Sequence, residues 1–243
     1  MARPAIQLYT LRALDEPLDE LLARVGDAGF EGVEYANRIG DADADAVRTA
    51  LDQTGLESVA AHVGIDEIED DPDDTVEFYR SLGCDHLVVP WLDPECFETE
   101  AAVAETADRL MAVAETVDDY GMALSYHNHD HEFAEVNGRP AFEQLAEATR
   151  EPLGFELDCG WTAVAGVDPT AVLDRWGDRV TLVHISDADE SGSPTEVGDG
   201  VLDVAACAAA AREHDVEWAI YEHDDLDDQM ESVVHGADVL EQF

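Results

Sequence analysis

The sequence contains no lysine: its 12 basic residues are all arginine, set against 58 Asp and Glu, for a formal charge of −46. That absence excludes a Schiff-base lysine, a P-loop lysine and a lysine general base. The shortage of positive charge also argues against nucleic acid or an anionic membrane as a partner, because no basic patch exists to release counterions. Long apolar runs are missing too, and none reaches the roughly 18 residues that mark a membrane-spanning helix. The opening stretch, MARPAIQLYT, lacks the apolar core of a secretion signal. Cysteine is scarce: Cys84, Cys96, Cys159 and Cys207 are scattered with no CxxC pair, which suits reduced thiols in a cytoplasmic protein better than a disulfide scaffold or a zinc knuckle.

What is present is a patterned 46% of hydrophobic residues, so the extreme charge reads as a solvated acidic skin on a folded chain rather than as disorder. A high-salt, halophilic cytoplasm is the natural setting for such a skin, since salt screens its self-repulsion. Short runs rich in Val, Ile, Leu and aromatics alternate with longer amphipathic, acid-rich segments. The pattern predicts strands at 5–11, 32–36, 58–63, 86–91, 123–127, 154–158, 180–185 and 218–222. Helices are predicted between them at 18–28, 43–54, 72–82, 101–120, 141–148, 169–176, 201–214 and 226–241. Asp71-Pro72 and Asp168-Pro169 each place a capping Asp before a first-turn Pro, and Gly55, Gly83 and Gly121 follow helical patterns where a left-handed residue is wanted. Eight strand–helix units of about 30 residues, undivided by any linker, predict an α/β fold: a single-domain (β/α)8 TIM barrel spanning 1–243. A doubly wound open sheet would want a glycine-rich turn after the first strand, where the chain reads Thr10-Leu11-Arg12.

In such a barrel the active site lies at the C-terminal ends of the strands. Those ends carry Gln7 and Tyr9, Glu34, His62, Pro90-Trp91, the run Tyr126-His127-Asn128-His129-Asp130-His131-Glu132-Phe133, the run Glu156-Leu157-Asp158-Cys159-Gly160-Trp161, His184 with Asp187, and Tyr221-Glu222-His223-Asp224. Any one of these residues is unremarkable alone, since a His at a strand end is commonly hydrogen-bonded structure and an Asp there is commonly a helix cap. Their joint placement after the last four strands is the signal. Carboxylates with imidazole form a donor set for Mn²⁺, Mg²⁺, Co²⁺ or Zn²⁺, and a divalent cation offsets the repulsion among charges pointing into a barrel mouth. A separate zinc cluster at 127–131 has no four-ligand spacing to support it. The Asp224-Asp225 and Asp227-Asp228 pairs lack the EF-hand glycine and read as surface acid.

Gln7-Leu8-Tyr9-Thr10-Leu11-Arg12, Gly32-Val33-Glu34, Tyr126-His127-Asn128-His129 with Glu132-Phe133, Leu157-Asp158 with Trp161, Asp168-Pro169, His184 with Asp187, Val197-Gly198-Asp199-Gly200 and Glu222 occur in that order along the chain. Together they resemble the xylose-isomerase-like TIM-barrel superfamily and, within it, the sugar phosphate isomerase/epimerase proteins. That group is similar to ketose epimerases, hydroxypyruvate isomerase, inosose dehydratase and apurinic endonucleases. The resemblance implies a divalent metal held by Asp158, His184 and Glu222 on the last three strands. The epimerases add a Glu on the fifth strand, which here carries no acid. Either His127 takes that position or Glu132 folds back from the following loop, and Glu132 would restore the family's set of two Glu, one Asp and one His. Trp161 stands where many relatives place a His.

The implied activity is a metal-dependent isomerase or epimerase acting on a sugar or polyol keto compound through an ene-diolate. Glu132, Glu222 and His127 would be catalytic, and Gln7, Glu34, His62, His129, Trp161 and Asp187 would contact substrate. With no lysine, a substrate phosphate would depend on Arg12, Arg38 or backbone N–H groups, which favours an unphosphorylated substrate. The alternatives are a dehydratase of the inosose type, an apurinic endonuclease-like hydrolase, or a non-catalytic binding barrel. The expected partner is a small molecule, with no nucleic acid and no membrane; assembly into a homo-oligomer is left open.

Overall fold

A computed structural model describes residues 1–36, 39, 42–224 and 229–243. Eight parallel strands close into a barrel: β1 (Arg3–Gln7), β2 (Gly32–Tyr35), β3 (Glu57–His62), β4 (His86–Val89), β5 (Ala123–His127), β8 (Leu153–Asp158), β9 (Val180–Ile185) and β10 (Trp218–Tyr221). The antiparallel pair β6 (Glu135–Val136) and β7 (Arg139–Pro140) forms a small hairpin after β5. The ring closes where β1 pairs with β10, placing Arg3 opposite Trp218 and Ile6 opposite Tyr221. The eight-fold alternation in the sequence therefore does specify a single TIM barrel.

The helices are α1 (Leu18–Ala28), α2 (Ala44–Thr54), α3 (Ile65–Asp70), α4 (Pro72–Ser81), α5 (Glu100–Asp119), α6 (Ala141–Ala148), α7 (Cys159–Val164), α8 (Pro169–Trp176), α9 (Val204–Glu213) and α10 (Gln229–Leu240). Asp43, Asp71 and Asp168 cap α2, α4 and α8 by accepting from backbone N–H groups of the first turn. Their apolar faces pack on the outside of the barrel around Leu22, Leu82, Leu110, Phe142 and Leu173. No helix among the described residues is long and apolar enough to cross a membrane.

Inside the barrel a second apolar cluster, Ala5, Val59, Ala60, Val88, Leu182, Trp218 and Ile220, fills the lower layer. Gly32 is required there by space: a Cβ would stand 2.4 Å from Val59 Cγ2 and 2.8 Å from Trp218 Cζ3. Above this plug Glu34, His62, His127, Glu156 and His184 gather at the upper end, while His86 and Ser125 pair with each other lower down at 2.8 Å. Two strands shift register on the way up, β2 between Val33 and Glu34 and β8 between Phe155 and Glu156. Such irregularities re-aim side chains next to functional sites, and here each precedes a carboxylate that is fully buried.

Several boundaries differ from the sequence expectation for identifiable reasons. β1 stops at Gln7 because Leu8–Leu11 turn into a 3₁₀ helix, and β4 stops at Val89 because Pro90 has no N–H to extend a ladder. The helix expected at 201–214 starts at Val204, capped by Asp203. The start of the one expected at 226–241 lies outside the described residues.

Candidate metal centre

β5, β8, β9 and the residue after β10 bring four side chains together: donor atoms of His127, Asp158, His184 and Glu222 all lie within 4.8 Å of one another, and all four residues are buried. A second, overlapping group, His62, His127, Glu156 and His184, meets the same 4.8 Å limit one layer deeper. His184 Nδ1 lies 2.9 Å from Glu222 Oε2, and its Nε2 lies 2.8 Å from Glu34 Oε2 and 3.3 Å from Glu156 Oε2. His127 Nδ1 lies 2.9 Å from Glu156 Oε2, and His62 Nε2 lies 2.8 Å from the same oxygen. Gln7 donates from Nε2 to Glu34 Oε2 at 2.9 Å.

Asp158 ends β8 and starts α7 in one step. Its Oδ1 accepts from Trp161 N at 2.7 Å and from Ser186 Oγ at 2.9 Å, while its backbone N–H donates to Asn128 Oδ1 at 3.1 Å. The close approach of Ser186 depends on Gly160, where a Cβ would stand 2.3 Å from Ser186 Oγ.

The electrostatics follow from burying this many charges together. Burial pushes Asp158 up to about 8 against the pull of His184. Burial pushes His127 down to about 4, so its imidazole is neutral at pH 7. Burial also favours neutral His184, but Glu156 and Glu34 outweigh it and hold the ring well above the ordinary value. His62 is raised in the same way, burial being outweighed by Glu34 and Glu156. Glu34 is pushed up by burial and by Glu156. Glu156 and Glu222 are held low despite burial, Glu156 by His184, His127 and His62, and Glu222 chiefly by His184.

Among the described residues, Glu34 Oε1, Glu156 Oε1 and His129 Nδ1 are buried without a hydrogen-bond partner. Unpaired carboxylate oxygens in a dry interior are costly. Beside them, the two imidazoles and two carboxylates of His127, Asp158, His184 and Glu222 make a donor set that fits a divalent cation.

The structure brings the expected Asp158, His184 and Glu222 together but leaves Glu132 outside the set. Tyr126 and His127 are neighbours on β5 and so point to opposite faces. Glu132 goes with Tyr126: its Oε1 accepts from Tyr126 Oη at 2.5 Å and its Oε2 from His129 N at 2.9 Å. His127, on the inner face, stands with the other three donors. Asp187 is likewise occupied elsewhere, its oxygens accepting from the backbone N–H groups of Ala188, Gly198, Gly200 and Leu202 at 2.9–3.0 Å. Sequence reasoning gave no role to Glu156 or Ser186. The visible signal for Glu156 was an acid inside an otherwise apolar strand.

Above the donor set is an open cavity of about 360 Å³, lined by Gln7, Tyr9, His62, Trp91, His127, His129 and Glu222 among others. Trp91 is 46% exposed, and its ring centroid lies 4.5 Å from that of His129. Trp161 lies farther back, 6.0 Å from His129. Among the described residues that line this cavity there is no arginine. Arg12, near its rim, lies over the Tyr9 ring at 3.9 Å and donates to the Tyr9 carbonyl at 2.9 Å and to the Asp224 carbonyl. Arg38 lies outside the described residues. A separate, mostly apolar cavity of about 270 Å³ between α1 and α2 carries none of this chemistry.

The sequence model described as "Xylose isomerase-like TIM barrel" matches residues 22–243. The chain is 26% identical over 198 residues to the rhizopine catabolism protein MocC of Rhizobium meliloti, covering 71% of this chain but only 58% of that protein. It is 24% identical over 247 residues to the inosose dehydratase of Geobacillus kaustophilus, covering 84% of this chain and 79% of that one. A crystal structure of a sugar phosphate isomerase/epimerase from Parabacteroides distasonis superimposes with a TM-score of 0.85 at 21% identity, covering 100% of this chain and 94% of the other.

Proposed function

Since the chain belongs to the xylose isomerase-like TIM barrel family, we propose that it is a divalent-metal-dependent isomerase or epimerase of an unphosphorylated sugar or polyol keto compound. The observation that carries this reading is the convergence of His127, Asp158, His184 and Glu222, all buried, with His127 and Glu222 lining an open cavity. These four residues would hold the cation, with His127 rather than Glu132 as the donor from β5. When bound, Mn²⁺, Mg²⁺, Co²⁺ or Zn²⁺ supplies Lewis acidity to a substrate carbonyl and its neighbouring hydroxyl.

The chain's own residues do the rest. Glu222, kept ionised beside His184, is placed to accept a proton from the carbon next to the carbonyl. His62, whose pKa Glu34 and Glu156 raise against the effect of burial, lines the same cavity and is placed to return one. His129 offers Nδ1, which has no partner among the described residues, to a substrate hydroxyl, and Trp91 offers an apolar face to the C–H side of a ring. Arg12 is committed to Tyr9 and Asp224, which leaves the described cavity wall without an arginine to bind a phosphate.

The similarity to inosose dehydratase supports a second reading, in which the same proton abstraction is followed by loss of a β-hydroxyl. Mass analysis of products from a panel of ketoses and inososes tests both readings. Conversion without a change of mass supports isomerisation or epimerisation, and loss of the mass of water supports the dehydratase. No turnover on any member in the presence of metal would contradict both.

A further inference from the structure

One carboxylate oxygen beneath the donor set gathers three imidazoles. Glu156 Oε2 lies 2.8 Å from His62 Nε2, 2.9 Å from His127 Nδ1 and 3.3 Å from His184 Nε2. An ionised carboxylate can only accept hydrogen bonds, so each contact calls for a proton on the facing ring nitrogen. A neutral ring with its proton there turns its lone pair the other way. For His127 that frees Nε2. His184 is different: its Nε2 faces Glu34 and Glu156 while its Nδ1 stands 2.9 Å from Glu222 Oε2, so both of its nitrogens face carboxylates and Glu156 does not by itself set its tautomer.

We infer that Glu156 is a positioning residue that fixes the tautomer and direction of His127, so that this ring offers its other nitrogen, Nε2, to the cation. The inference rests on the metal reading above and adds to it a residue outside the four donors. Three features of the structure support it. β8 shifts register between Phe155 and Glu156, the kind of irregularity that re-aims a side chain. Glu156 is fully buried, with Oε1 unpartnered among the described residues, so solvation does not account for its carboxylate. Glu34 Oε2 duplicates the contact to His184 Nε2 at 2.8 Å. His127 Nδ1 has Glu156 as its hydrogen-bond partner among the described residues, so His127 depends on Glu156 most.

Outer carboxylates of this kind contribute about 10–100-fold to metal affinity by orienting imidazole ligands. The test is a Co²⁺ titration of the wild type, Glu156→Gln, His127→Ala and the double variant, followed by d–d absorption. Folding is checked by circular dichroism, and the metal-free wild type, labelled with [¹⁵N]histidine, is examined by long-range ¹H–¹⁵N NMR. Glu156→Gln keeps the volume but can present an N–H in place of an acceptor. The expected results are a His127 proton on Nδ1 in the wild type and Co²⁺ affinity about 10–100-fold weaker in Glu156→Gln at unchanged stoichiometry. In the His127→Ala background the same change should cost much less, because the ring through which Glu156 acts is gone.

A wild type that binds Co²⁺ while Glu156→Gln binds equally well overturns this inference and leaves the metal reading standing. So does a variant whose lost affinity tracks a lost ion, since Glu156 would then be a ligand of a second cation. A wild type that binds no Co²⁺ overturns both readings. If Glu156→Gln does not fold, the wild-type spectrum decides: a His127 proton on Nε2 contradicts the inference.

Discussion

Asp158 shows how tightly the residues of this site are constrained by their neighbours. One side chain caps α7, accepts the Ser186 hydroxyl and reaches the donor set, and it does so only because Gly160 leaves room. Gly160→Ala should drive Ser186 or Asp158 from its place and lower unfolding stability by about 1–3 kcal/mol, as overpacking in a filled interior does; denaturant unfolding measures it, and an unchanged midpoint would show the space is not needed. A second residue-scale expectation concerns pH. Burial pushes the Cys84 thiol and the Tyr35 phenol each up to about 12. The folded state holds these protons more tightly than the unfolded chain does. Their contribution is therefore complete below the ordinary values near 9 and 10 and is lost as pH rises from there towards 12. Unfolding midpoints should fall across that window, and at pH 8 a thiol reagent should find Cys96 accessible ahead of buried Cys84, Cys159 and Cys207. Fast labelling of all four thiols in native protein would contradict this packing.

At the scale of elements, one carboxylate gathers the two ends of the loop from 187 to 202. Asp187 was expected at the substrate, yet it accepts four backbone N–H groups that have no sheet or helix to pair with. Asp187→Ala should leave them unpaired, lower stability by roughly 2–4 kcal/mol, and raise amide exchange at Gly198, Gly200 and Leu202; unchanged exchange there would refute the role. The same contrast explains what the sequence made legible. Helices and barrel strands carried their own signals, such as Asp168-Pro169 at α8 and the apolar run of β9, and the ends of α1, α6 and α8 fall where periodicity places them. Asn137-Gly138, both at positive φ between β6 and β7, is a hairpin-turn signal that the strand pattern passed over. α7 was not readable, because its six residues are too short for a periodic pattern and its cap is a residue expected to serve as a donor. Which of His127 and Glu132 faces inward was not readable either, since it depends on which face of β5 the loop folds back to. Glu156 was hidden in the same way. An acid among Phe155 and Leu157 shows its purpose only when the register shift and the opposing strands are known.

For the whole molecule, the dominant fact is charge. The few arginines are shared: Arg3 bridges Glu31 and Glu57, Arg109 bridges Asp66 and Glu69, and Arg139 and Arg175 both reach Glu143 and Glu147. These exposed pairs are worth little each, and the net −46 that remains after every arginine is counted has no compensating charge on the chain. Raising KCl from 0.05 to 2 M shortens the screening length to a few ångström. The unfolding temperature should rise, by about 2–4 °C for each kcal/mol of repulsion relieved; a fall or no change would show that the acidic surface does not limit stability. The acids at the barrel mouth are a separate population, buried and answered by imidazoles rather than by solvent.

The proposed chemistry requires those acids to hold a metal. Elemental analysis of purified, dialysed protein, with Asp158→Ala and His184→Ala beside the wild type, measures this directly. The prediction is about one divalent ion per chain in the wild type and almost none in either folded variant. A wild type without a divalent ion, or variants that keep full occupancy, would contradict the account.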